Sequence, residues 1–178
     1  ELIAGANYRI YALNSEGTLF ALDNNGNEFS IHEFGAYAQA GKKFIKDKLK
    51  ITGSMRYDKN ENFDGQFSPR LSGVFTEGNS NFRVSYQTGF RIPTTQDQYI
   101  NLLTPSARLL GGLAVVQDRY NLSGNSYTLQ SVLAGKPEAY TAKSWKPEQV
   151  KTWEFGYKGL LFENMLADFY YYNSTYVN

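Results

Sequence analysis

Apolar and polar positions alternate along most of this chain, and the alternation is cleanest between Phe67 and Pro93. Phe67, Leu71, Gly73 and Phe75 share one parity; Ser68, Arg70, Ser72 and Thr76 take the other. After Glu77-Gly78-Asn79-Ser80 a return run sets Phe82, Val84, Tyr86, Thr88 and Phe90 against Arg83, Ser85, Gln87 and Gly89. Side chains of a strand point to opposite faces with a period of two, so this stretch predicts a hairpin with one apolar and one polar face.

The same period recurs on either side. Ala4, Ala6, Tyr8 and Ile10 alternate with Gly5, Asn7, Arg9 and Tyr11; Leu49, Ile51, Met55 and Tyr57 with Lys48, Lys50, Thr52, Ser54 and Arg56. Near the end, Lys151, Trp153, Phe155 and Tyr157 alternate with Thr152, Glu154, Gly156 and Lys158, and Met165, Ala167, Phe169 and Tyr171 with Leu166, Asp168, Tyr170 and Tyr172. The pattern predicts an all-β, antiparallel up-and-down meander of about seven strands, over 3–12, 31–45, 48–57, 67–76, 81–90, 148–160 and 164–176. The connections then alternate in length. Long ones cover 13–30, 58–66 and 91–147, and short ones 46–47, 77–80 and 161–164. Transmembrane β-barrels have this asymmetry, with strands of about 9–11 residues.

The long connections carry turn chemistry. Asn14-Ser15-Glu16-Gly17 and Asp23-Asn24-Asn25-Gly26-Asn27 hold residues that tolerate left-handed backbone. The second cluster resembles a calcium loop at first glance, but Gly26 follows Asp23 too closely for an EF-hand, and a plain turn is expected. Thr94-Thr95-Gln96-Asp97 predicts a helix start capped by Thr94 or Thr95. Loops as long as 91–147 are usually functional or disordered.

Composition narrows the chemistry. The chain has 178 residues, a net charge of +1, no Cys and a single His, His32. The near-balanced charge gives no footprint for nucleic acid. Cysteine nucleophiles, disulfides and thiolate metal sites are excluded, and no pair of carboxylates has spacing that points to hydrolysis; Asp97, Asp118 and Glu138 stand in irregular sequence. No catalytic residue, metal or cofactor is expected, and His32 reads as a surface or rim residue. Aromatics make 16% of the chain, with 14 Tyr and 12 Phe beside 16 Gly. Mean hydropathy is −0.47, and no run is apolar enough for a membrane helix, which leaves strands as the route across a bilayer.

Phe67-Ser68-Pro69-Arg70-Leu71, Phe82-Arg83-Val84-Ser85-Tyr86 and Gly89-Phe90-Arg91-Ile92-Pro93-Thr94 resemble two successive strands of TonB-dependent outer-membrane receptors, the second running into an extracellular loop. Pro147-Glu148 through Glu154-Phe155-Gly156-Tyr157-Lys158-Gly159 is similar to a later strand of that family, and Leu13 to Phe20 resembles receptors of Bacteroidetes-like organisms. The resemblance covers nearly the whole chain. It implies a segment of a 22-stranded barrel in the outer membrane of a Gram-negative bacterium, with membrane lipid, a TonB complex and a nutrient ligand as partners. Neither the family's plug nor its TonB box is visible. The ligand would be a siderophore, metal chelate, vitamin, glycan or peptide, captured by loops and moved without covalent chemistry.

On that reading Arg9, Arg56, Arg70, Arg83, Glu154 and Lys158 face the lumen, with Asn7, Lys50 and Gln87 on the same parity. Alternation fixes parity and not direction, so the same residues equally form the solvated face of a soluble sheet. Tyr57, Phe67, Phe90, Tyr171 and Tyr172 are candidates for interfacial girdles. Gln96, Gln98, Tyr99, Asn101, Arg108 and Tyr120, in the longest loop, are candidates for ligand contact, and Arg91 reads as structural. A soluble carbohydrate-binding sandwich, with Trp145 and Trp153 as stacking platforms, is the alternative. It would bury its apolar parity between two sheets. An isolated segment would expose two open sheet edges and self-associate.

Overall fold

A computed structural model describes residues 1–23, 25–122, 124–142, 145–162 and 164–177. Asn24 of the Asp23–Asn27 cluster, Glu163 of the 161–164 turn and the terminal Asn178 lie outside the described residues. The chain runs through β1 (Leu2–Ala12), β2 (Ser30–Phe44), β3 (Leu49–Asn60), β4 (Gln66–Glu77) and β5 (Ser80–Arg91). It then passes α1 (Thr95–Tyr99), a small hairpin of β6 (Asn101–Leu103) and β7 (Arg108–Leu110), α2 (Ala114–Gln117), a 3-10 turn (Asp118–Tyr120) and α3 (Leu129–Leu133). It ends in β8 (Glu148–Leu161) and β9 (Met165–Val177).

Seven strands form one sheet in the order β1-β2-β3-β4-β5-β8-β9, with consecutive strands adjacent wherever the register is given and each such pair antiparallel. β3 continues to Asn60, three residues past its alternating run, because the long β2 still offers it partners there: Phe34 faces Lys59, and Glu33 faces Asn60. Asn60 is buried, and its side-chain amide donates to Glu33 Oε1 at 2.9 Å. β5 pairs with β8 from Ser80/Gly159 to Arg91/Glu148, across the longest connection.

Registers sort the side chains of this sheet. Phe44, Leu49, Phe75, Phe82, Tyr157 and Phe169 form a single apolar rung across six strands. The next rungs on that face hold Ile51, Val84, Phe155 and Tyr171, then Leu71, Tyr86 and Trp153. Cross-strand rings touch along it, Tyr57 with Phe67 at 4.8 Å, Phe82 with Tyr157 at 5.0 Å and Tyr86 with Trp153 at 4.7 Å between centroids. These contacts do not remove the face from solvent. Phe67 is 66% exposed, Leu71 57% and Phe169 65%. A sandwich would have buried this parity; among the described residues no second layer covers it.

The residues divide into two compact units. One holds Glu1–Arg9, His32–Arg91 and Pro147–Asn178; the other holds Ile10–Ile31 and Ile92–Lys146. The second unit has a core of its own, in Leu13, Ala21, Ile31, Tyr99 and Val116, with Phe20, Phe29, Leu110 and Leu113 packed against it. Stretches that read as loops therefore contribute buried apolar side chains, Leu13, Ala21, Tyr99 and Val116. Backbone bonds stitch them, Ala21 N–H to Tyr99 O at 2.8 Å and Asn101 N–H to Leu19 O at 2.8 Å.

Asp23 illustrates how the loop chemistry resolves. Its carboxylate accepts from the backbone N–H of Asn27 at 2.7 Å and of Asn25 at 2.8 Å, and from the Asn27 side chain at 3.1 Å. The oxygens thus serve the turn. The Asn27 backbone bond does most to hold this carboxyl below the usual aspartate range, followed by the Asn27 side chain. A lowered folded pKa means the turn gains stability above the ordinary aspartate value and loses it as pH falls through the lowered one. In an NMR titration the Asn25 and Asn27 amides are expected to move together, with a midpoint below about 3.9; a midpoint at or above that value would contradict the assignment.

Candidate functional site

The sheet unit and the loop unit each hold a set of candidate residues. In the sheet unit, Arg56, Arg70, Arg83, Glu154 and Lys158 share the face opposite the apolar rungs, as the registers Ser54/Arg70/Gln87, Ser85/Glu154 and Lys158/Asp168 require. Arg56 grips Asp58 through Nε at 2.6 Å and Nη2 at 2.5 Å, and reaches Asn7 Oδ1 at 3.3 Å. Arg9, two residues on from Asn7, follows it onto this face by alternation. Ser85 is nearly fully buried and donates to Glu154 at 2.8 Å. Lys158 lies 3.4 Å from Asp168, and the Arg83 guanidinium sits 5.2 Å from the Tyr170 ring centre. The six residues thus belong to one polar face; Glu154 and Lys158 engage neighbours on adjacent strands, and Arg56 and Arg83 reach across an intervening strand to Asn7 and Tyr170.

The girdle candidates divide. Tyr57, Phe67, Phe90 and Tyr171 lie on the apolar face, but Tyr172 faces Glu154 on the polar side, because β9 alternates and Tyr171 already takes the apolar position. His32 is a rim residue: Tyr8 OH approaches its Nδ1 at 2.6 Å, and its backbone N–H donates to Glu61 Oε2 at 3.0 Å. Arg91 closes the β5–β8 ladder through Glu148 at 3.2 Å.

In the loop unit, Thr94 caps α1 with a reciprocal pair of bonds to Asp97, N–H to Thr94 Oγ1 at 3.1 Å and Thr94 N–H to the carboxylate at 3.2 Å. This cap sets the direction of the short helix that carries three candidates. Two of them are structural. Gln98 is buried and donates to Pro93 O at 2.6 Å, and Tyr99 is buried against Phe29 at 4.7 Å. Gln96 is exposed beside them. Alternation cannot flag Gln98 and Tyr99 as buried, since their burial comes from a helix turn packing on the distant Leu13–Ile31 stretch.

The remaining three candidates come together. β6 and β7 pair Leu103 with Arg108 and Asn101 with Leu110, which makes Asn101 and Arg108 diagonal neighbours on one face. Arg108 Nη1 donates to Asn101 Oδ1 at 2.9 Å and to Tyr120 OH at 2.8 Å, while Tyr120 OH donates to Asn101 Oδ1 at 3.0 Å. The guanidinium also lies 5.3 Å from the Tyr120 ring centre. Gly111 and Gly112 hold this hairpin against α1: a Cβ on Gly111 would strike the Gln98 carbonyl, and one on Gly112 the Trp145 indole. Gly112 N–H donates to Asp97 O at 2.9 Å and Gly111 N–H to Ile100 O at 2.7 Å. Sequence reading missed this glycine pair; adjacent glycines ahead of an apolar run were the available signal. Trp145 lies in the loop unit and Trp153 in the sheet unit.

The comparisons with known proteins agree on the class. The family described as TonB dependent receptor-like, beta-barrel matches residues 1–178, and the chain belongs to it. Its seven-stranded meander is part of a larger barrel. Among solved structures it is similar to the siderophore receptor PirA from Pseudomonas aeruginosa, with 16% identity and a TM-score of 0.64, over 98% of this chain and 28% of that one. At that identity the likeness is one of fold, and the chain spans little more than a quarter of that receptor's length. No curated protein matches the sequence.

Because Tyr99 is a core residue, Tyr99→Ala is expected to cost about 3–5 kcal/mol of loop-unit stability. Limited proteolysis should show faster cutting within 92–146 and an unchanged sheet. Wild-type cutting rates would return Tyr99 to the ligand candidates.

Proposed function

We propose that this chain forms part of the wall and outer loops of a TonB-dependent receptor that takes up a scarce nutrient across a Gram-negative outer membrane. The observation that carries the reading is the slope of the apolar band. On β2 the band runs from Phe34 through Ala40 to Phe44, interrupted by Lys42. On β3, β4 and β5 it covers Leu49–Tyr57, Phe67–Phe75 and Phe82–Phe90. On β8 it lies lower, from Trp153 down to Leu161 with Lys151 above, and on β9 from Tyr171 down to Met165 with Asn173 above.

The upper edge of the band therefore falls from β2 to β9, level only across β3, β4 and β5, while the lower edge is level from Phe44 to Phe82 and then drops to Leu161 and Met165. The upper edge moves from the Phe34/Lys59 rung to that of Phe155/Tyr171. That is about eight residues over five strand spacings, and with a rise of ~3.3 Å per residue and ~4.8 Å per strand the inclination is about 45–50°. Strands that cross a bilayer in a barrel are tilted by roughly 45°. An upper edge cutting the rungs at this angle is what the surface of a lipid layer imposes on tilted strands. A soluble sheet has no reason to keep such a slope. The open groove of about 550 Å³ bounded by Leu49, Phe75, Phe82, Phe155 and Tyr157 belongs to the band, and we read it as lipid contact.

With the apolar face toward lipid, the face bearing Arg9, Arg56, Arg70, Arg83, Glu154 and Lys158 is turned to the lumen. The long connections then leave the strands at the outer end, where ligand arrives. Siderophores, metal chelates, vitamins, glycans and peptides all suit loop capture followed by TonB-driven release, and no covalent step is needed. The TonB complex would act through parts of the receptor beyond this segment.

A paired substitution tests the band. In the full-length protein, Leu71→Arg is expected to cost about 2–4 kcal/mol of folding in bilayers, and Thr175→Arg, above the band, about 0–1 kcal/mol. Equal costs would sink the lipid reading. The isolated 178-residue segment, with free edges on β1 and β9, is expected to sediment as oligomers without detergent; a clean β-rich monomer would contradict this and favour a soluble module.

A further inference from the structure

Arg108 is held in one place by neutral groups. Both bonds that fix it run from Nη1, to the amide oxygen of Asn101 and the hydroxyl of Tyr120, and the ring of Tyr120 supports the guanidinium plane. No carboxylate lies within ion-pair distance of it among the described residues, whereas Arg56 and Arg91 each have one. Arg119, in the same unit, spends its guanidinium on the Leu22 carbonyl. Arg108 is exposed, so the charge is open to solvent.

The unused side of the group has a definite shape. A guanidinium carries five N–H donors in a planar fork. With Nη1 occupied, Nε–H and the Nη2 hydrogens remain as a parallel pair of donors, the arrangement that binds carboxylate or phosphate in a bidentate manner. Pinning by Asn101 and Tyr120 removes rotamer freedom before any ligand arrives, which lowers the cost of binding. Leu103, opposite Arg108 in the hairpin and 66% exposed, adds an apolar margin to the site.

We propose that Arg108, Tyr120 and Asn101 form an oxyanion-binding subsite, and that the ligand of the loop unit carries a carboxylate or phosphate next to an apolar group. This rests on the loop-capture reading and narrows its ligand class. Arg108 contacts the anion; Tyr120 and Asn101 are positioning residues that aim it.

The test uses the full-length protein in detergent micelles with ¹⁵N-labelled arginine, titrated separately with citrate and with inorganic phosphate, against chloride at matched ionic strength. A saturable shift of the Arg108 Nε–Hε signal is expected, with the Arg119 signal still. Saturation by citrate alone assigns a carboxylate ligand, and by phosphate alone a phosphate; either supports the subsite. By calorimetry, Arg108→Gln should weaken binding at least about 10-fold, and Tyr120→Phe about 3-fold through loss of aim, since a charge-assisted pair outweighs a neutral bond. Arg108→Lys keeps the charge and should still lose most of the affinity, because one ammonium cannot form the fork. Circular dichroism identifies any variant that has lost its fold. A linear shift no larger than that with chloride, or wild-type affinity in Arg108→Gln and Arg108→Lys proteins that retain their fold, overturns the subsite. Neither result bears on the lipid-facing band, which the Leu71 and Thr175 substitutions judge separately.

Discussion

Backbone hydrogen bonding between strands is the constraint on which the rest of this structure depends. A strand in an apolar layer finds no water to satisfy its N–H and C=O groups, so each must pair with a neighbour in fixed register. Here that register extends across a connection of great length. β5 and β8 are joined through 92–147 and still pair over twelve residues each, from Ser80 to Arg91. The exposed Arg91–Glu148 pair at the mouth of that connection is worth at most about 1 kcal/mol. The ladder itself holds the two strands together, and loop-closure entropy grows slowly enough with length to allow it.

Once the register is fixed, every side chain has a face. The apolar face gathers aromatic and aliphatic side chains into a band bounded above by Lys59, Lys151 and Asn173, and within it Lys42 lays its ammonium 5.4 Å from the Phe44 ring. Long basic side chains suit a boundary, since their stems pack on apolar surface while the charge stays in water. The polar face solves a different problem. Its charges are matched locally, Arg56 with Asp58 and Lys158 with Asp168, and the nearly buried Ser85 gives Glu154 a donor.

The loop unit is organised by ordinary core packing. Its few buried residues come from both of its chain stretches, so neither stretch can order without the other. Gly111 and Gly112 permit the close approach that sets the small hairpin on α1, and the hairpin in turn makes Asn101 and Arg108 neighbours. The pinned guanidinium is thus a consequence of backbone geometry several residues away.

How much of this was legible beforehand follows from the physics of each element. Period-two alternation, turn residues and loop lengths are local, so residues such as Leu49–Tyr57 and Phe82–Phe90 declared their strands and their parity, and Thr94 with Asp97 declared a helix cap. The family resemblance rested on equally local strings around Ser68-Pro69-Arg70 and Gly156-Tyr157-Lys158. Sequence could not show that Gln98 and Tyr99 are buried, that Tyr172 sits opposite Glu154, or that Asn101, Arg108 and Tyr120 meet, because each depends on which distant backbone lies alongside. The slope of the apolar band belongs to the same category. Alternation along one strand determines which residues share a face, but only the register between strands decides how far each apolar run is shifted against the next, and hydrogen bonds between residues far apart in the chain set that shift.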